Sequence, residues 1–439
     1  MQIQSPVPVG ALSCQKDSYL KSLDTEVVSC TEFSPPTQTK IPAKGKPKKV
    51  NGSAEFQAEP AQAWLIEFAD SVFFPEGGGQ PTDHGSVIPS ANDGSSSTIS
   101  ITNVQRRGLR CVVLSPQPLT PGSRVRQDVD FTRRWGHMQQ HTGQHLLSCI
   151  MDSMNLETLG WGMGTAGEMN YVELPRKPTS EEIRTIQDKC NAAIRANLPI
   201  TVETPGDAKA DSLPSDYDKE KGVVRFIKIG NLDYNACCGT HLKQTSHIGL
   251  ILLHHTQPIR STNCRLFFSA GNRAINLATT SIEAIRSMAL SMSSGTAPSD
   301  VQSSVQRLSE TVTEVRKSER RLLSEIAKYE GDRIKADLIA GRNAWCYRAT
   351  DGLDFINLVT LEVRDAVKER GTVIMVSGEE KKAGMVMIIG QKDVVETLAT
   401  KTKELVSSIK GGGRGEKWQG KVVEWKKGEI EAFHQLVTS

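Results

Sequence analysis

Two short segments carry the residues best suited to chemistry. Residues 137–145 read HMQQHTGQH, and His141 and His145 stand four apart, which on a helix puts both imidazoles on one face, a turn apart, where they can share one ion. The zinc-protease form of this spacing has a glutamate directly after the first histidine as general base; here that position is Thr142, so a zinc protease is disfavoured. Far along the chain, CCGTH offers Cys237 and His241 at a second four-residue spacing, with Gly239 letting the backbone bend. Three imidazoles and one thiolate suit zinc; magnesium or calcium would call for oxygens. Cys238 would point away from Cys237 on extended chain, and His137, four before His141, is a reserve ligand or supporting group. Four protein ligands also fit a closed, structural zinc, and spacing alone leaves the two roles open.

Two glycine runs come next. FFPEGGGQPTDHG at 73–85 exposes backbone N–H groups and permits positive φ, which suits close approach of a phosphate or ribose, or simply a tight β-turn. It lacks the P-loop lysine. KGGGRGEKWQGK at 410–421 mixes glycine with four cations and Trp418, a surface for RNA or a flexible linker.

The elements that must position these groups can be read from periodicity. Short runs separated by turn clusters predict a small β-barrel over residues 1–132, interrupted by a mobile basic insertion near 34–53, where prolines, glycines and lysines leave almost nothing to bury. Helical periodicity starting at Asp130, a capped helix after Thr179 or Ser180 and strand-like runs predict an α+β zinc domain over 133–280. Val301, Val305, Leu308, Val312, Val315, Leu322, Ile326 and Tyr329 alternate four and three apart, interrupted by Glu319, giving a long heptad-like helix within a helical linker at 281–340. Buried-looking strands after about 341 predict a C-terminal α/β domain reaching 439. The fold class is thus multidomain α+β.

Composition sets outer limits. The 439 residues allow roughly three domains at about 150 each, and a formal charge of +3 excludes a global basic field, so nucleic acid would have to meet a local patch. Nine scattered cysteines argue against a disulfide framework and for a reducing, cytoplasmic setting; no run is long enough to span a membrane.

In their order, CQKDSYL at 14–20, FFPEGGGQPTDHG, HTGQH, CCGTH, CRLFFSAGNR at 264–273 and the glycine-rich tail resemble the alanyl-tRNA synthetase editing-domain superfamily, in its long free-standing form, AlaX. The resemblance implies a zinc-dependent deacylase that removes a wrong amino acid, chiefly serine and also glycine, from the tRNA for alanine, with no aminoacylation domain. It implies His141, His145, Cys237 and His241 as zinc ligands and catalytic centre, Gly77, Gly78, Gly79 and Gln80 near the acceptor end, and a DHHA1-like C-terminal domain linked to RNA contact and to a homodimer. Sensing serine requires a polar partner for its hydroxyl; the resemblance would put a threonine after Trp161, where this chain has Gly162, so Thr142, Gln144 and Thr165 are the candidates. Arg133 and Arg134, with lysines of the insertion and tail, are the candidates for tRNA phosphates. The competing reading is a non-catalytic, zinc-stabilised tRNA-binding protein.

Overall fold

The computed structural model describes residues 5–33, 63–90, 97–165, 168–205 and 222–438; the insertion read at 34–53 lies outside them. The architecture is mixed α+β, with a nearly closed barrel sheet and three further sheets. Two compact units, residues 1–284 and 285–439, make up the chain. No helix among the described residues is long and apolar enough to cross a membrane.

The first unit opens with a one-turn helix, α1 (Ser13–Lys16), and seven strands: β1 (Ser22–Phe33), β2 (Ala63–Phe68), β3 (Gly85–Pro89), β4 (Ile99–Ile101), β5 (Asn103–Arg107), β6 (Arg110–Ser115) and β7 (Arg124–Val129). Their order is β4-β3-β7-β1-β2-β6-β5, and β4 comes back against β6. The long strand β1 makes this curl possible. Its first half pairs with β7, its second half pairs with β2 from Ser29↔Glu67 to Phe33↔Ala63, and the register shifts between Val27 and Ser29. Such a shift bends a strand and lets one strand serve two directions of sheet. The interior holds Val27, Ile66, Val87, Ile101, Val113 and Val125, plugged by Phe73 and Phe74 from the segment after β2.

The same unit continues into α2 (Phe131–Asp152), capped by the Asp130 carboxylate, which accepts from the Arg133 N–H. Its apolar residues Met138, Leu146, Leu147 and Ile150 enter a second core. Unusually for a globular helix, its polar residues are buried as well, His137, Gln139, Gln140, His141, Thr142, Gln144 and His145 among them. Buried amides must find partners. Gln140 Nε2 donates to Ala270 O at 2.8 Å while its Oε1 accepts from Ala270 N and Asn170 Nδ2. Gln139 bridges His247 O and Asn272 N in the same way. Gln140 thus fastens α2 to β14 (Cys264–Ala270), which belongs to an antiparallel sheet of order β13-β14-β9-β8 with β8 (Gly160–Gly162), β9 (Asn170–Leu174) and β13 (Ile251–Pro258). Helix α3 (Ser180–Arg195) carries a complete capping box between Thr179 and Glu182. Three short strands, β10 (Ile200–Glu203), β11 (Phe226–Ile229) and β12 (Asp233–Ala236), form a separate antiparallel sheet that leads into CCGTH. Helix α4 (Gly271–Ser291) follows β14 directly.

In the second unit the heptad row lies on one unbroken helix, α5 (Pro298–Ile339). A different stripe of its C-terminal half, Leu323, Ala327, Ile334 and Leu338, packs in the core of α6 (Gly352–Glu369). The sheet has the order β15-β16-β17-β19-β18, from β15 (Ala344–Arg348), β16 (Val373–Ser377), β17 (Gly384–Ile389), β18 (Ile409–Arg414) and β19 (Lys417–Val422); only β15 and β16 run parallel. Alternate residues of β16 serve two cores: Val373 and Met375 meet α6, while Ile374 and Val376 join Val395 of α7 (Lys392–Leu405) and Phe433 of α8 (Glu429–Thr438). Coverage of both faces accounts for the uninterrupted apolar run VIMV. The glycine run 411–413 is strand, where the linker reading expected flexible chain; a Cβ on Gly411 would lie 2.8 Å from the Trp418 ring.

One buried ion pair ties the barrel to α2. Arg134 and Asp83 are both fully buried, and the guanidinium contacts Asp83 through Nε and Nη2, Ser18 O at 3.0 Å and Val72 O at 2.7 Å. Arg134, expected at a phosphate, has no exposed surface to offer one. Removing one member of such a pair leaves a buried charge uncompensated, so Asp83→Ala should cost about 3–5 kcal/mol in equilibrium denaturant unfolding. A loss below about 1 kcal/mol, the value of an exposed pair, would show that it ties nothing.

Candidate metal centre

The four ligating residues anticipated from the two spacings converge. Their donor atoms, three imidazole nitrogens and Cys237 Sγ, all lie within 4.8 Å of one another, the one such His/Cys group of this kind among the described residues. Cys237 Sγ is 3.3 Å from both His141 Nε2 and His241 Nε2. An edge of a tetrahedral zinc site with Zn–S of about 2.3 Å and Zn–N of about 2.0 Å is close to that length.

Each imidazole is held by its other nitrogen. His141 Nδ1 meets Gln80 Oε1 at 3.0 Å, His145 Nδ1 meets Asp233 Oδ2 at 3.1 Å, and His241 Nδ1 meets Thr142 Oγ1 at 3.3 Å. Orienting a ring through its far nitrogen is how proteins fix the tautomer and aim of a metal-binding histidine, so the donor set and its supports fit a zinc ion. The electrostatics agree. Burial would raise the Cys237 thiol, but His141 and His241 beside it outweigh burial and hold it well below its ordinary value. Burial lowers His145, yet hydrogen bonds to Asp233 and Cys237 prevail and lift it to about 10; His241 is pushed down by burial to about 3. The thiol is thus disposed toward thiolate, the form in which cysteine binds a metal.

The glycine segment forms the wall beside this group. Gly77 and Gln80 exchange backbone hydrogen bonds at 3.1 Å, with Gly78 at φ 61° and Gly79 at φ 79° between them, a two-residue turn that only glycine adopts freely. Close approach matters as much: a Cβ on Gly79 would lie 2.7 Å from the Trp161 ring, and one on Gly78 2.9 Å from Cys238 Sγ. Trp161 in turn lies against His141, ring centroids 4.8 Å apart. Cys238 thus faces the turn and stands outside the quartet, as alternation on extended chain anticipated. Gln80 is fully buried; besides His141 it binds Thr240 through both ends of its amide, and so it supports a ligand and does not face solvent.

The remaining candidates have separate fates. Thr142 is buried and accepts from Leu242 N; Gln144 donates to Ser148 Oγ; Thr165 is exposed and donates to Glu168. All three hydroxyl or amide groups offered as sensors of a serine side chain already have protein partners. Arg133 is half-buried, its Nε donating to Thr82 O at 3.2 Å. His137 is buried one turn before His141 and outside the quartet.

Sequence reading missed Asp233, Thr240, Gln15 and Arg225. Asp233 was findable as the sole carboxylate in residues 222–241. Gln15 and Arg225 explain CQKDSYL: Gln15 Nε2 donates to Cys238 O at 2.8 Å, Ser18 Oγ to His241 O at 2.6 Å, and Arg225 joins Gly239 O to Gln15 O. The N-terminal segment thus fastens the backbone of CCGTH.

Comparison with known proteins adds context. The model of the threonyl and alanyl tRNA synthetase second additional domain matches residues 224–267. The alaX protein of Saccharomyces cerevisiae is 32% identical, covering 99% of this chain and 98% of its own. The alanyl-tRNA editing protein Aarsd1 of Mus musculus is 29% identical, covering 97% of each chain. An alanine–tRNA ligase of Pyrobaculum neutrophilum is 26% identical over 84% of this chain but only 40% of its own length.

Supports of this kind are worth a factor of ten to a hundred in affinity. Asp233→Asn should weaken zinc binding by about that factor, measured by competition with a chromophoric chelator. Unchanged affinity would mean that Asp233 orients nothing.

Proposed function

The chain belongs to the family of alanyl-tRNA editing proteins, and from that premise we propose that it is a trans-editing hydrolase, acting on alanine tRNA mischarged with serine or glycine at a zinc centre made by His141, His145, Cys237 and His241. The observation that carries this reading is the quartet itself, three imidazoles each held by its far nitrogen, beside a glycine turn that lets a substrate end approach the backbone.

In the reaction, water oxygen bonds to the acyl carbon, the bond from that carbon to the ribose oxygen breaks, and the ribose oxygen takes a proton. Zinc, when bound, supplies Lewis acidity and makes a water acidic near neutral pH, so the missing protease glutamate is no obstacle. The protein's own contribution is positional. Gln80, Asp233 and Thr142 keep the three rings aimed inward, and Trp161 covers His141. A cleft lined by Glu76, Gly77, Gly78, Gly79 and Thr82 is the place for the terminal ribose, and Arg133, bonded to Thr82 O, stands ready for a phosphate.

The second unit fits a DHHA1-like role in RNA contact and pairing of two copies. Its hairpin β18–β19 presents Lys410, Arg414, Lys417 and Lys421. On α5 the heptad row is uncovered: Leu308 is 57% exposed, Val315 60%, Leu322 50% and Tyr329 78%. A repeat of this period fits a second identical helix. Leu308→Lys with Val315→Lys should halve the mass seen by light scattering; an unchanged dimer would place the contact elsewhere.

The principal test is deacylation of alanine tRNA charged with serine or with alanine. Serine should be released and alanine kept, with activity lost on chelation, restored by zinc, and absent in His145→Ala. No release by zinc-loaded protein that still binds the tRNA would favour the non-catalytic, RNA-holding role.

A further inference from the structure

On the first turns of α2 and α4 stand two arginines with no ion pair among the described residues. Arg273, in the first turn of α4, donates to Gly164 O at 2.8 Å and to Asn170 Oδ1 at 3.3 Å; it is mostly buried and forms no ion pair among the described residues. Arg133 is half-buried on Thr82 O and likewise lacks an ion pair; of the acids nearest it, Asp83 is taken by Arg134 and Asp130 caps α2. Between them in the local field is His137, 3% exposed, whose Nδ1 has no hydrogen-bond partner. Burial first, then Arg133, Arg273, Arg134 and His84, push this imidazole down to about 3.

The placement of these groups is specific. Thr82, held by Arg133, ends the glycine segment, and Gly164, held by Arg273, follows the strand that brings Trp161 onto His141. His137 lies four residues before His141 on α2, about 6 Å along the axis. A partly buried guanidinium without a carboxylate is costly, and so is a buried nitrogen without a partner. Two arginines held on backbone carbonyls of the segments that flank the centre, with no carboxylate bonded to either, therefore ask for an anion from outside.

The chemistry of the substrate proposed above narrows which anion this is. In an aminoacyl ester the amino acid's carboxyl carries no charge, so the negative groups nearest the scissile bond are phosphodiesters. The first lies on the 5′ side of the terminal ribose, one sugar away from the ester. We propose that Arg133 and Arg273 form a binding site for that last phosphodiester, which sets the terminal nucleotide against the metal centre. This rests on the editing reading and adds to it the residues that fix the position of the RNA end.

The test uses the full chain loaded with zinc and a labelled RNA hairpin ending in single-stranded CCA. Its last phosphodiester is either natural or a neutral methylphosphonate, and affinity is read by fluorescence anisotropy. In the wild type, neutralising that one linkage should weaken binding about ten-fold or more, the scale of a charge-assisted contact. In Arg273→Gln, and separately in the half-exposed Arg133→Gln, the natural hairpin should bind correspondingly worse and the two hairpins should differ by no more than about two-fold. Arg273→Lys, which keeps the charge, should retain most of the discrimination and controls for folding. Equal discrimination in the wild type and both glutamine variants overturns the site. Serine release from mischarged tRNA by the same wild-type preparation separates the two claims. Release without linkage discrimination overturns the phosphate site alone, whereas discrimination without release overturns the editing reading and leaves an RNA-end site standing.

Discussion

The buried contact between Arg134 and Asp83 is the constraint on which the rest of the first unit depends. Asp83 lies at the end of the glycine segment and also accepts from Phe74 N, so it closes the loop that carries Gly77 to Gln80. Arg134 stands on the first turns of α2 and adds Val72 O and Ser18 O to its contacts. One guanidinium therefore sets three segments of distant sequence against each other: the barrel loop, the helix with two histidines, and the N-terminal stretch that holds CCGTH. Water has no access to this pair, which makes the geometry exacting: a displaced partner would leave a charge in a medium unable to solvate it.

From that fixed point the centre is built by polar groups in places where globular helices usually carry apolar ones. Helix α2 buries glutamines, threonine and histidines, and Gln139 and Gln140 tie it to backbone and side chains elsewhere in the unit. Such a helix has little reason to form alone; its stability comes from the sheet and barrel that satisfy it. This is expensive sequence to maintain for packing alone, and it makes sense where ring orientation must be held within narrow limits.

Much of this was legible beforehand, for identifiable reasons. The pairs His141/His145 and Cys237/His241 could be read because helix and turn spacing fix which side chains can meet, and the barrel strands and β16 could be read as short apolar runs bounded by turn residues. The functions of Gln80, Arg134 and Thr142 could not. Their residue types suit a substrate contact as well as an internal tie, and only tertiary position shows that Gln80 holds His141 and that Arg134 is sealed in with Asp83. Gln15 was hidden for another reason: it acts on the backbone of CCGTH, whose own position depends on a distant element. The strand character of the glycine run 411–413 could not be read because glycine at 411 and 413 is demanded by the neighbouring Trp418 and partner backbone, a packing requirement that local propensity does not contain.

The double duty of β1 has a consequence for how this chain tolerates change. Phe33 and Ala63 are directly paired across the ladder, so the ends of β1 and β2 meet at a single point of the barrel. The entropy of closing a loop between two such fixed ends grows only with the logarithm of its length. The barrel is in this respect a socket: a short turn, a longer tether or a grafted domain can be carried there while β1 keeps its register with β2 and β7 and the histidine helix keeps its seat.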